Sequence, residues 1–294
     1  MGMAISGLDH NRRNLRWMIS SPTVSRQDRV RVVSRLLTAV LGIYLFVWWG
    51  CSSSRNVIDH GAGPPNTLSE AEIAAGWELL FDGRTFSGWR GLGMDYVPSE
   101  HWVIEEGTIR KLDSADVPIA ADGQPLEGAD LMTEEVFEDF ELYFEWKVAT
   151  GANSGIKYNV SEAYSMEHEP RNAALGFEYQ ILDDENHPDA MNGRHRTAGA
   201  LYDLVPPNQK KRLRPVGEFN SGRIRYVGGK GEHWLNGEKI VEFEVGSPEF
   251  DSLLVASKYV DYDRFAERRA GHIVLQDHND EVWFRNLKIR RLDP

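Results

Sequence analysis

Between Trp77 and Leu292 apolar and polar residues alternate in short runs: "WELLFDG", "HWVIEEGTIRKL", "DFELYFEWKV", "SGIKYNV", "GFEYQIL", "GALYDLV", "NSGRIRYVGG", "GEHWLNGEKIVEFEV", "GHIVLQDH" and "VWFRNLKIRRL". They are rich in β-branched and aromatic residues and are separated by Gly, Asn, Asp or Pro, which reads as successive strands. Period-two alternation puts Phe140, Leu142, Phe144, Trp146 and Val148 on one face of their strand, with Glu141, Tyr143, Glu145 and Lys147 on the other. Phe177, Tyr179 and Ile181 alternate with Glu178 and Gln180. Ile273, Leu275 and Asp277 alternate with His272, Val274, Gln276 and His278. Asn236-Gly237 between two such runs predicts a two-residue hairpin, because both positions need positive φ. One short helix is expected in "LSEAEIAAGW", with Ser69 as N-cap and Glu72 completing a capping box. Ten or more strands without crossover helices predict an all-β fold over residues 68–294, two antiparallel sheets packed face to face. No internal repeat and no second domain is visible.

Upstream the pattern changes. Residues 1–50 carry seven arginines against two acids and end in an apolar run from Leu36 to Trp49, short for a spanning helix and normal for a signal segment. Gly50-Cys51 followed by three serines resembles a bacterial lipobox, in which the signal is cut before the cysteine and the cysteine is acylated. Trp48 departs from that pattern, where Leu is favoured, and Met18 is an alternative start. An uncleaved anchor and an ordinary signal peptide are the competing readings. All three place the folded part outside the cytoplasm, and the first makes the protein a lipoprotein of the periplasm or cell surface. Residues 51–67, rich in Gly, Pro and polar residues, read as a flexible tether.

Charge and cysteine content remove several classes. The 294-residue chain has a formal net charge of −12, and the arginine-rich front makes the remainder more acidic still, with no basic stripe to neutralise phosphates. A nucleic-acid partner is excluded. With one cysteine there is neither an intramolecular disulfide nor a thiolate metal site.

The polar faces of the strands carry the candidate chemistry. If those strands share a sheet, Glu145, Glu178, Gln180, Gln276 and His278 converge on an open face rimmed by "LDDENHPDA" and "TGANSGIKY". Such a groove binds sugars: carboxylates and amides pair with hydroxyls, and Trp or Tyr rings offer flat apolar surfaces. The competing reading is a solvated sheet face, with His187 and His278 as turn residues. Asp183, Asp184, Asn186 and Asp189 could supply hard oxygens to Ca²⁺, although their spacing lacks the glycine and distal Glu of an EF-hand. Ser154 lies in no nucleophile elbow.

"GWELLFDGRTFSGW", "DFELYFEWKVATGANSGIKY", "GFEYQILDDENHPDA", "TAGALYDLVPP", "PVGEFNSGRI", "EHWLNGEKIVEFE" and "GHIVLQDHNDEVWFRNLKIRRL" resemble, in order, the 3-keto-disaccharide hydrolase family, often described as related to glycoside hydrolase family sixteen. The resemblance covers about Gly76 to Leu292. It implies a concanavalin A-like jelly roll and an extracytoplasmic enzyme acting on sugars already oxidised at carbon 3, so that a sugar 3-dehydrogenase accompanies it. The C3 carbonyl acidifies C2–H; a base removes that proton, the C1 substituent is expelled, and water adds. The resemblance then suggests Glu178 or His278 as base and Glu145 as acid or orienter. Asn153, Lys157, Gln180, His187 and Gln276 become substrate contacts. No cofactor is required, though Ca²⁺ or another divalent ion at Asp183 could assist. The loop "RKLDSADVPIAADGQPLEGAD" is longer than the simplest members need, and the insertion "VSEAYSMEHEPRNAALG" is a candidate groove wall; either could alter which aglycone fits. A lectin-like module and a conventional glycosidase are the alternatives; the E-x-D-x-x-E strand of family sixteen is absent.

Overall fold

The computed structural model describes residues 58–61, 63–120, 128–267 and 270–293. The signal segment 1–50 and Cys51 lie outside the described residues. From Ile58 onward the chain forms one compact unit, built from thirteen strands: β1 Glu78–Leu79, β2 Trp89–Gly91, β3 Trp102–Glu105, β4 Thr108–Lys111, β5 Leu131–Thr133, β6 Phe140–Val148, β7 Asn153–Val160, β8 Phe177–Leu182, β9 Asn220–Val227, β10 Lys230–Leu235, β11 Glu238–Glu244, β12 His272–Leu275 and β13 Val282–Arg291. They make two antiparallel sheets. One runs β11-β10-β9-β6-β13-β4-β3, with β1 also pairing β13; the other runs β2-β5-β12-β7-β8.

The alternation read from the chain sets the core. Phe140, Leu142, Phe144 and Trp146 on β6 face Phe177, Tyr179 and Ile181 on β8 and Ile273 and Leu275 on β12, and all are essentially inaccessible. Each strand therefore turns its polar alternates outward, in opposite directions for the two sheets. The hairpin between β10 and β11 turns at Asn236 (φ 48°) and Gly237 (φ 87°), as the dipeptide requires.

The helix α1, Glu70–Ala74, has the expected capping box, with Ser69 Oγ accepting from Glu72 N and the Glu72 carboxylate accepting from Ser69 N. Two helices go beyond the sequence reading: α2, Glu162–Met166, capped by Ser161, and α3, Pro248–Ala256, capped by Ser247 with Pro at the first turn. In contrast, "GALYDLV" is a run of turns. Its backbone bonds to β8 at Gly199, Ala200 and Tyr202 and so covers that strand's open edge.

Part of the expected tether is docked. His60 stacks on Tyr143 at 4.7 Å and meets Trp77 edge-on at 4.4 Å, while Asn66 and Asn286 exchange side-chain to backbone hydrogen bonds. Beneath His60 lies the buried pair Glu72–Lys288 at 2.7 Å.

Candidate active site

Three adjacent strands of the five-stranded sheet form the floor of a pocket. Facing outward are Gly155 and Lys157 on β7, Glu178 and Gln180 on β8, and Gln276 just beyond β12; Lys157 lies opposite Glu178, and Gly155 opposite Gln180. Gln276 N donates to Gly155 O at 2.9 Å, which extends the ladder by one residue. Glu178 leans across Gly155. A Cβ at 155 would stand 2.4 Å from Glu178 Oε1 and 2.8 Å from its Cγ and Cδ, so the absence of a side chain there lets the carboxylate lie flat on the floor.

Buried charges support this floor from the side. Lys157 Nζ donates to Asp130 Oδ2 at 2.9 Å, and Asp130 also accepts from Ala174 N and Asp277 N. Asp277 in turn meets Lys111 at 3.1 Å and His101 at 3.3 Å. Glu178 has no such partner: it is 5% exposed and forms no ion pair within 4 Å among the described residues. Burial pushes its carboxyl above the ordinary range, against the pull of the Lys157, Lys258 and His278 charges, and Asp130 pushes the same way.

The walls come from two segments. His168, Glu169, Pro170 and residues 173–176 of the insertion after β7 face Lys258, Tyr259 and Tyr262, which follow α3. They enclose about 230 Å³ over Lys157, Glu178 and Gln276. Among the described residues the insertion after β7 lines the pocket; residues 121–127 of the longer loop before it lie outside them.

At an adjoining end sit Asn153, His187, His278 and Asp280. Asp280 Oδ2 accepts from Asn153 N at 2.9 Å and lies 3.7 Å from His278 Nδ1. The Asn153 amide nitrogen is 3.5 Å from His278 Nε2. Asp280 raises the His278 pKa, burial opposes it, and the Glu178 charge adds to the rise. His187 and His278 stand edge to face at 5.8 Å, and burial together with the His278 charge lowers the His187 pKa. One ligand atom from each of His187, His278 and Asp280 falls within 4.8 Å of the others, a spacing compatible with a metal ion. The tautomer of His187 argues otherwise: Nδ1 accepts from Asp189 N at 3.1 Å, so in the neutral ring the proton is on Nε2, which is a donor.

The structure thus brings Glu178, Lys157, Gln180 and Gln276 onto one floor and Asn153, His187 and His278 beside it. Glu145 is not among them. It projects from β6 on the outer face of the other sheet, paired with Arg285 at 2.7 Å. The core faces of β6 and β8 oppose each other, so their polar faces are on opposite sides of the sandwich. Asp183 is likewise committed to the chain. Its oxygens accept from Gly151 N, Glu185 N, Asn186 N and Asn186 Nδ2, which organises the turn after β8 and leaves no free lone pair directed at an ion. Asp184 binds Lys211, and Asp189 binds Arg196 and Tyr202. Gln180 is 1% exposed and its Oε1 accepts from Ile181 N, whereas Lys157 lines the pocket with its ammonium committed to Asp130. Sequence reasoning missed Lys258, Asp130 and Asp280, which lie on non-strand segments where alternation gives no signal.

The chain is thus a jelly-roll sandwich with a charged pocket on the outer face of one sheet, a fold shared with glycosyl hydrolases. Solved structures agree: a Parabacteroides distasonis protein assigned as a glycosyl hydrolase superposes with a TM-score of 0.65 at 29% identity, over 78% of this chain and 100% of its own. A second from the same organism gives 0.54 at 25% identity, over 74% and 99%. Residues 76–290 match the 3-keto-α-glucoside-1,2-lyase-like domain, and the chain belongs to that family. The 3-keto-disaccharide hydrolase of Bacteroides thetaiotaomicron is 38% identical over 238 residues, covering 75% of this chain and 80% of that relative.

Proposed function

We propose that the protein cleaves 3-keto-disaccharides or 3-keto-glycosides by elimination of the C1 substituent followed by hydration. The observation that carries this reading is the buried, unpaired Glu178 carboxylate on the floor of a pocket in a member of this family. Its raised pKa suits a general base near neutral pH. Glu178 takes the C2 proton, the electron pair is held first as an enolate with its charge on the C3 oxygen, and its return forms the C1=C2 bond as the C1–O bond breaks. His278, held toward its protonated form by Asp280, donates the proton to the departing oxygen. Water then adds at C1, its proton passing to the deprotonated His278, and Glu178 returns its proton to C2, so the sum is hydrolysis. Gln276 and Asn153 are placed to contact hydroxyls.

The carboxylate arrangement favours this route over a conventional glycosidase, which needs two carboxyl groups placed across the scissile bond. The other carboxylate lining the pocket is Glu169, which is exposed and paired with Arg171 at 3.0 Å. Incubation with 3-keto-trehalose beside unoxidised trehalose tests the reading. Turnover of the keto sugar alone, with loss of deuterium from C2, supports it; turnover of trehalose supports a glycosidase, and binding without turnover a lectin.

The chemistry requires that an oxidoreductase acting at C3 precede this step. We further place the protein outside the cytoplasm, anchored through acylated Cys51, on the strength of the arginine-rich, apolar front of the chain. Among the described residues no helix is long and apolar enough to cross a membrane. Metabolic labelling with a fatty acid, lost in Cys51→Ala, is the expected result; unchanged labelling would remove the anchor.

A further inference from the structure

The elimination puts negative charge on the C3 oxygen, one bond from the carbon that Glu178 deprotonates. The cation that meets this charge must therefore stand beside Glu178 and be free to leave its resting contacts. Two ammonium groups act electrostatically on Glu178, those of Lys157 and Lys258. They differ in what else holds them. Lys157 is buried and bound to Asp130 at 2.9 Å, and Asp130 is fixed by two backbone N–H groups, so moving Lys157 would leave a buried carboxylate unpaired. Lys258 is solvent-accessible and lines the pocket. Among the described residues it makes no ion pair within 4 Å; its Nζ lies 4.3 Å from the ring centre of Tyr202 and 5.0 Å from that of Tyr259.

Aromatic faces orient an ammonium without neutralising it. The backbone is held more firmly. Lys258 N donates to Asp203 Oδ2 at 2.7 Å, and Asp203 is tied to Arg196 at 2.8 Å. Although the residue is open to solvent, desolvation of its ammonium at the pocket wall joins the like charge of Lys157 in pulling the Lys258 pKa down, against Glu178 and Asp203.

Resting on the 3-keto reading, we propose that Lys258 is the catalytic residue that stabilises the oxyanion at C3, while Lys157 is a fixed part of the floor. Held over the Tyr202 and Tyr259 rings at the pocket, the Lys258 ammonium has, among the described residues, no carboxylate to give up before it meets the oxyanion. The test is steady-state kinetics of the purified full chain on 3-keto-trehalose, with C2-protonated and C2-deuterated substrate. Lys258→Met should lower kcat about 10²–10³-fold with little change in KM, and should raise the isotope effect because proton removal becomes harder. Lys258→Arg should recover part of the rate. Lys157→Met should instead lower the thermal midpoint. If wild type turns over the keto sugar and Lys258→Met does so within threefold of its rate, the assignment is wrong although the function stands. A rise in KM alone would also overturn it, reducing Lys258 to a binding contact. If wild type does not turn over the keto sugar, the function itself fails.

Discussion

Replacing Gly155 by alanine tests whether the floor is built around the Glu178 carboxylate. The backbone at 155 lies outside the positive-φ region, so alanine introduces no backbone strain there. The added methyl would stand 2.8 Å from Glu178 Cγ and Cδ. Carbon atoms pack at about 3.5–4.0 Å, so the side chain must shift by roughly 1 Å or change rotamer. An off-rotamer side chain costs about 0.5–1.5 kcal/mol, while alanine in place of glycine within a strand gains about 0.5–1 kcal/mol. The two nearly cancel. The thermal midpoint should therefore move by no more than about 2–4 °C. Catalysis has no such compensation, because a misplacement of about 1 Å costs on the order of 10²-fold in rate. Turnover of 3-keto-trehalose and differential scanning calorimetry on the same preparation measure the two effects. A wild-type kcat would show that the position of Glu178 is immaterial. A collapse of the midpoint would show that Gly155 serves packing instead.

Three further outcomes follow from the charge arrangement. Glu145→Gln should leave kcat unchanged and cost no more than about 1 kcal/mol, since it removes one partly exposed ion pair on the far face; a tenfold loss of kcat would return Glu145 to the chemistry. The pH profile of kcat/KM should rise through a pKa above the ordinary carboxyl value, the direction that burial gives Glu178, and a limb centred below about 4.5 would exclude it as the base. Burial would raise the Glu72 carboxyl, but hydrogen bonds from Lys288, the Ser69 backbone and His60 hold it down to about 2. Its contribution, about 3 kcal/mol, is complete above the unfolded pKa and is lost as pH falls from about 4.5 through 2. Urea midpoints against pH should show that loss in wild type and a flatter acid limb in Glu72→Gln.

How far the sequence carried differs between the fold and the site, and the difference is physical. Alternation identifies the buried face of each strand, and the residues it placed inside β6, β8 and β12 are inside. It does not say which sheet a strand joins. Glu145 and Glu178 both alternate with core residues, and nothing local separates β6, which pairs with β9 and β13, from β8, which pairs with β7. Glu178, Lys157 and Gln276 meet because β8, β7 and β12 are neighbours, a fact of topology. The acids after β8 looked like ligands because their composition was visible and their partners, Lys211, Arg196 and the turn amides, were not. Lys258 follows a helix whose start was readable: Ser247 as N-cap, Pro248 in the first turn, then Glu249 and Asp251.

Glu141 on one outer face of the sandwich and Glu178 on the other are held in opposite ways, and this separates a functional carboxylate from an ordinary one. On the eight-stranded sheet Glu141 accepts from Arg223 at 2.7 Å and from Arg290 at 2.9 Å, and Arg223 and Lys147 cover the rings of Trp234 and Trp283. Removing a charge there breaks a pair. On the five-stranded sheet Glu178 is buried beside cations it does not touch, so its ionised form carries a desolvation cost that the Lys157, Lys258 and His278 charges only partly offset. Its folded pKa is raised, so the native state binds the extra proton, and stability falls as pH rises from the unfolded value through the folded one. Glu178→Gln should therefore raise the thermal midpoint at pH 7 and abolish turnover, with the stability gain vanishing below about pH 4, where the wild-type carboxyl is protonated in both states. Glu141→Gln should lower the midpoint at pH 7 and leave turnover intact. If Glu178→Gln instead destabilises the protein at pH 7 as Glu141→Gln does, Glu178 is a paired structural carboxylate and the base must be sought elsewhere.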